Sequence, residues 1–359
     1  TAAICGGSAL EVSKTATPSF TRDWTWDVAK VAAAPRVIAD PATGTATASY
    51  TVTATPTKSD SAWTVTGTVT LHNPNSVALT GVTVTDSLPG ATCTLGTVPT
   101  SIAAGATETV DYTCSFTSDP GAGTLTNTVT ASWADSGFVK SGSISATAST
   151  TFAGLAPSVE HGATTEVTDP QAATGLPATA TAPAGGSYEV TATWTNPNAG
   201  TCQSFVNTAS VTGDTASATV EVCRGADLTV TKTATGSYDT TYAWAIDKKL
   251  GDVPGVVPSG STVDFPYTLT VTKAGQTDSG WVVTGAITVS NPNTWQAVTL
   301  TGVSDALSVT GASCVVTGDQ TASIPASGSA QFSYTCTYAV QPTAYQGTNT
   351  ATATWDAAA

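Results

Sequence analysis

Seven cysteines are the residues of this chain whose spacing most directly implies chemistry. Cys93 and Cys114 stand 21 residues apart, Cys202 and Cys223 stand 21 apart, and Cys314 and Cys336 stand 22 apart. Three pairs at one loop length predict three local disulfides, each worth about 3 kcal/mol through the freedom it removes from the unfolded chain. Metal ligation would need Cys-x2-Cys pairs or nearby histidines, and the only histidines are His72 and His161. No metal and no cofactor are therefore expected, and the disulfides imply an oxidising, extracellular location. Cys5 is left without a partner. A nucleophile elbow G-x-S-x-G, an H-E-x-x-H helix, a Walker loop and a dinucleotide glycine pattern are all missing, so catalytic residues and enzyme activity are not expected. Asp27 beside Trp26, and Asp247 beside Lys248 and Lys249, read as solvated strand-end residues.

The elements that must carry the cysteines are strands. Apolar residues alternate with Thr and Ser at a period of two: Leu10 and Val12; Trp24, Trp26 and Val28; Tyr50 and Val52; Trp63 and Val65; Val82 and Val84. Such alternation in β-branched and aromatic residues marks half-buried strands. Asn73-Pro-Asn, Leu88-Pro-Gly and Asp119-Pro-Gly supply turns, and no stretch has the period and caps of an amphipathic helix. The pattern predicts an all-β chain of tandem antiparallel β-sandwich modules, Ig-like in topology, forming a rod. Hydrophobic residues make up 40% of the 359 positions, enough for several cores, while charged residues are only 10%. The surface is wetted by hydroxyls. A balance of 25 acidic against 11 basic residues gives a net charge of −14, which repels phosphate backbones and anionic lipids. Nucleic-acid binding is not expected, and no apolar run reaches the roughly 18 residues of a membrane helix.

An internal repeat organises the chain. Cys5-Gly-Gly-Ser-Ala-Leu-Glu-Val-Ser-Lys14-Thr-Ala-Thr returns as Cys223-Arg-Gly-Ala-Asp-Leu-Thr-Val-Thr-Lys232-Thr-Ala-Thr. Trp63-x-Val-x-Gly67 answers Trp281-x-Val-x-Gly285, Asn73-Pro-Asn answers Asn291-Pro-Asn, and Asn127-Thr with Trp133 answers Asn349-Thr with Trp355. The expected organisation is a remnant strand of a preceding module at 1–7, a long module at 8–152, a short one at 153–226 and a second long copy at 227–359. The short segment keeps Trp194-Thr-Asn-Pro-Asn198 and Phe205-Val-Asn-Thr208 but contains no lysine. Since Gly142–Thr151 alternates like a closing strand and has no counterpart after Trp355, the last module is expected to lack its final strand. Its unpaired edge would suit strand donation by the N-terminal segment of a neighbour. Plain excision from a longer array of a secreted protein is the favoured account of both ends, including the unpaired Cys5.

These motifs resemble a family. Val12-Ser-Lys-Thr-Ala-Thr, Tyr50-Thr-Val-Thr-Ala-Thr, Leu71-His-Asn-Pro-Asn, Val82-Thr-Val-Thr-Asp86-Ser-Leu-Pro89 and Thr126-Asn-Thr-Val-Thr are similar to tandem Ig-like repeat domains of unknown function in bacterial cell-surface proteins. The resemblance covers most of both long modules. It departs at Gly302-Val-Ser-Asp305-Ala-Leu, which lacks the Leu-Pro. It implies a stalk or fibre component outside the cell, in the style of pilin and adhesin modules. Pilin-like sandwiches often carry a spontaneous Lys–Asn isopeptide bond, and the repeat supplies the residue types twice: Lys14, Asp86 and Asn127, then Lys232, Asp305 and Asn349. The reaction needs a lysine desolvated enough to be neutral and a buried carboxyl that holds a proton. The competing arrangement has Lys14 pointing outward and Asn127 capping a turn. Expected partners are further copies of the chain in a filament, or, for an adhesive module, a glycan or host protein held by loops or by Trp24, Trp26, Trp63, Trp244 and Trp281. In-register recurrence of these tryptophans argues that they are core.

Overall fold

A computed structural model describes residues 6–253 and 255–356. Cys5 and most of the 1–7 remnant lie outside that range. All regular structure among the described residues is β-strand. The chain forms two compact units, one drawn from 1–33, 49–192 and 206–219, the other from 34–48, 193–205 and 220–359. These units do not coincide with the segments 8–152, 153–226 and 227–359, and one hairpin is the reason.

That hairpin pairs Thr17–Ala32 with Thr45–His72 antiparallel, from Thr17↔Thr66 to Ala32↔Tyr50. Its register shifts between Ser19 and Thr21, where Ala62 takes a positive φ of 51°. The extra residue inverts the alternation of the longer strand, as a β-bulge must. Before it Tyr50, Val52 and Ala54 are buried; after it Trp63, Val65, Val69 and Leu71 are. One hairpin thus serves two cores. The part nearer Val65 belongs with Glu11–Lys14, Thr92–Leu95 and Thr107–Ser115 in one sheet. A second sheet, Thr83–Ser87, Thr124–Trp133 and Gly142–Thr151, contributes Val84, Val129 and Ala131 to the same apolar cluster as Val65, Val69 and Val110. The far part is covered by strands from the 153–226 segment. Val159–His161 adds parallel to Thr17–Ala32, Trp26 Nε1 donates to Gly162 O at 2.8 Å, and Thr51 Oγ1 donates to Glu189 Oε1 at 2.8 Å. The short segment therefore closes its core only with strands borrowed from the preceding one.

In the second unit, Thr229–Lys232, Tyr267–Ser290, Ser329–Tyr338 and Ala312–Thr317 repeat the first sheet, and Val298–Leu307 pairs with Asn349–Trp355. Ile287, Val289, Leu300, Val303 and Phe332 form its core. Asn349–Trp355, the counterpart of Thr124–Trp133, has no strand on its other side among the described residues.

The Asn-Pro-Asn turns bind the segment that leads into the first strand of each long copy. Asn75 accepts from Ser8 N at 2.7 Å and donates to Ser8 O at 2.9 Å, and Asn293 does the same with Ala226 at 2.8 and 2.9 Å. All three disulfides, Cys93–Cys114, Cys202–Cys223 and Cys314–Cys336, are present. Cys93 and Cys314 stand directly across a strand pair from their partners.

Candidate cross-linking site

Lys14 closes the first strand, Glu11–Lys14, in register with Val69, and its side chain points inward and is fully buried. Its Nζ forms an ion pair with Asp86 Oδ1, also fully buried. The same carboxylate reaches the third residue, because Asn127 Nδ2 donates to Asp86 Oδ2 at 3.1 Å. Cross-strand register sets this meeting. Asp86 stands opposite Val129, two residues after Asn127, so carboxyl and amide share one face of the sheet. Asn127 is fully buried and its Oδ1 has no hydrogen-bond partner. An outward Lys14 with Asn127 as a turn cap is not the arrangement found.

Burial pushes the Lys14 ammonium below its ordinary pKa, and the hydrogen bond and charge of Asp86 offset part of that push. Tyr112 lies beneath it, with Nζ 3.5 Å from the ring centroid. Its phenol is raised by burial first and by the Asp86 charge after it, and donates to Thr15 O. Sequence reasoning missed this tyrosine, although Trp63-x-Val-x-Gly67 holds the signal. Gly67 stands opposite Tyr112, and a Cβ there would lie 2.8 Å from Tyr112 Cε1 and 2.2 Å from Thr15 O. The glycine lets ring and first strand approach.

The second copy carries the same residue types, with its asparagine amide turned to the tyrosine rather than to the aspartate. Lys232 faces Ile287 across the strand pair and forms an ion pair with Asp305 Oδ1, with 15% of its side chain exposed. Asp305 stands opposite Ala351, two residues after Asn349. Tyr334 lies 4.0 Å from Nζ, donates to Thr233 O at 2.7 Å and accepts from Asn349 Nδ2 at 3.0 Å; Asn349 Oδ1 has no partner. Gly285 again makes room, since a Cβ there would sit 2.1 Å from Thr233 O.

The chemistry open to such a set is a condensation. Transfer of the shared proton from Nζ to the carboxylate gives a neutral amine and a carboxylic acid. A half-turn of the amide brings its carbonyl oxygen to the acid, which polarises it. Nζ then attacks Cγ, the Cγ–Nδ2 bond breaks, and the aspartate takes a proton from Nζ and passes one to the leaving nitrogen. Ammonia departs and a secondary amide remains. Metal binding is not an alternative here: Asp86 groups with Cys93 and Cys114, and Asp305 with Cys314 and Cys336, but those sulfurs are bonded to each other and offer no thiolate.

The tryptophans divide. Trp26 and Trp63 are core, whereas Trp244 is 63% exposed, which corrects the expectation that all five are packed inside. Asp27 and Asp247 are exposed but lie within strands, not at their ends.

No family model matches the chain, and no curated protein matches it. Among solved structures, a crystal structure of Salmonella alpha-2-macroglobulin reacted with methylamine aligns over 80% of this chain and 22% of that one, at 12% identity and a TM-score of 0.15. The chain thus spans less than a quarter of that protein, and a TM-score of this size carries no argument about fold or function.

Proposed function

We propose that this chain is a non-catalytic structural segment of an extracellular bacterial filament, stalk or adhesin, built of Ig-like β-sandwiches and locked by Lys–Asn isopeptide bonds. The observation that carries the reading is the buried meeting of Lys14, Asp86 and Asn127, because it ties the first strand of a module to a late one. Tension applied to such a strand passes through a covalent bond, and the sheet hydrogen bonds between are spared. The three disulfides and the sparse surface charge fit an oxidising exterior. No helix among the described residues is long and apolar enough to cross a membrane.

The second hairpin supports a repeating array of such segments. Trp26 and Val28 are 5% and 9% exposed in the first copy, while their counterparts Trp244 and Ile246 are 63% and 69% exposed. A segment of the 153–226 type covers the first pair, and the natural occupant of the second is another such segment from the next repeat. The same aromatic face, with Tyr238 and Tyr242 beside Trp244, is the one feature that favours an adhesive module gripping a glycan or host protein. A glycan array separates the two readings.

Single-molecule stretching tests the structural role. With the bond in place, the residues between Lys232 and Asn349 add no length under load; in Asn349→Ala they extend. Full extension of the unmodified protein would overturn the proposal.

A further inference from the structure

We infer that a third Lys–Asn isopeptide bond joins Lys30 to Asn207, with Asp169 as the proton-carrying carboxyl, in the part of the chain whose own sequence segment, 153–226, contains no lysine. This inference rests on the chemistry read at Lys14 and Lys232 and extends it to a site assembled from two sequence segments.

The pairing comes first. Lys30 Nζ forms an ion pair with Asp169 Oδ2 across 139 residues of sequence, and both side chains are fully buried. The other carboxylate oxygen, Oδ1, accepts from Gln171 N at 2.9 Å, so Oδ2 is left to the lysine. Asn207 is fully buried, and neither its Nδ2 nor its Oδ1 has a hydrogen-bond partner. An amide orphaned at both ends in a core is rare, because such groups are normally satisfied.

Register then places the amide. In the two long copies the carboxyl stands opposite the residue two after the asparagine: Asp86 opposite Val129, Asp305 opposite Ala351. The antiparallel bridge Thr168↔Ser210, with hydrogen bonds of 3.0 and 2.9 Å in both directions, puts Asp169 opposite Ala209, two after Asn207. Thus Asp169 and Asn207 share a face in the same relation. The lysines correspond too. Lys14, Lys232 and Lys30 stand across a strand pair from Val69, Ile287 and Val52, each fully buried. A tyrosine ring accompanies each, here Tyr50 at 5.1 Å from Nζ, on the strand facing the lysine.

The reaction balances as at the other sites. Lys30 Nζ attacks Asn207 Cγ, the Cγ–Nδ2 bond breaks, Asp169 relays a proton from Nζ to the leaving nitrogen, and ammonia departs. The bond would fasten the strand Thr17–Ala32 to Thr201–Val211. Two stretches far apart in sequence would become one covalent body.

Peptide mapping of the reduced, chymotrypsin-digested protein is the test. The expected product is a branched peptide joining Lys30 to Asn207, about 17 Da lighter than the sum of its linear parts, which disappears in Asn207→Ala and Lys30→Arg while branched peptides at Lys14–Asn127 and Lys232–Asn349 persist. Linear recovery of Lys30 and Asn207 beside branched peptides at the other two sites overturns this inference alone. Linear recovery at all three overturns the shared chemistry and the inference with it. The mapping of the unmodified protein decides the question even if a variant fails to fold.

Discussion

Asn127 donates its amide N–H to Asp86 over 3.1 Å while the carbonyl oxygen of the same amide has no partner. A buried acceptor left unmade costs about 1–3 kcal/mol, and the ammonium of Lys14 is buried against the other oxygen of the same carboxylate. Condensation replaces that ammonium and primary amide with one neutral secondary amide. The fold holds reactants from two sheets together, so the loss of translational freedom is met in folding.

Removing the carboxyl should stop the reaction at one site only. In Asp86→Ala, peptide mapping should return Lys14 and Asn127 as linear peptides, with Lys232 still joined to Asn349. The buried lysine, now without its partner, should lower the stability of the first copy by about 3–5 kcal/mol in urea denaturation. A Lys14–Asn127 link that survives in Asp86→Ala would remove Asp86 from the mechanism.

A pH effect distinguishes free from bonded lysine. In Asn127→Ala the lysine stays an amine, and its folded pKa is depressed by burial. Between that depressed value and the ordinary lysine value, the unfolded chain binds more protons than the folded one, so stability should rise with pH across this window. Below the window the slope vanishes. Tyr112 has its pKa raised in the fold and acts in the opposite sense, lowering stability once pH passes the ordinary phenol value, so the measurement belongs below about pH 10. In the unmodified protein Lys14 is an amide and this lysine-linked rise should be missing. An equal rise in both proteins would count against the bond.

Gly67→Ala tests the approach of the first strand. The added Cβ would meet Thr15 O at 2.2 Å and Tyr112 Cε1 at 2.8 Å, and backbone cannot yield as a side-chain tip can. Overpacking of this kind costs about 1–3 kcal/mol, and it should also move Lys14 off its line to Asn127. The expected outcome is a lower Tm with incomplete cross-linking at that site. A fully bonded Gly67→Ala protein of unchanged Tm would show that the glycine serves another purpose.

The exposed hairpin of the second copy, Thr235–Leu250 with Tyr267–Ser290, should accept what covers the first. Appending a second copy of residues 134–226 to the chain should bury Trp244, shifting its emission to the blue and protecting it from iodide; Trp244→Phe isolates the signal. Lys248, which lies over Tyr267 at 4.1 Å, corresponds to Lys30 beside Tyr50 and should gain an aspartate partner. Unchanged quenching would leave the hairpin without this role.

Strands, disulfide pairs and the residue types that recur in both long copies were legible in the sequence, since two-residue alternation, cysteine spacing and in-register lysines are local or repeated signals. Lys30, Asp169 and Asn207 were not. The lysine sits in one sequence segment and the other two in the next, and the segment 153–226 read alone has no lysine. The bulge at Ala62 hid the sharing: it inverts which residues of Thr45–His72 face inward, so the hairpin reads as one strand pair serving one core. Trp244 misled for a related reason. Its counterpart Trp26 is core only because a later segment lies over it.

The intact mass of the reduced, denatured protein tests the central claim most directly. Three bonds predict a mass about 51 Da below that of the sequence with all cysteines reduced, and the two long-copy bonds alone about 34 Da. A mass equal to that of the sequence would contradict the account.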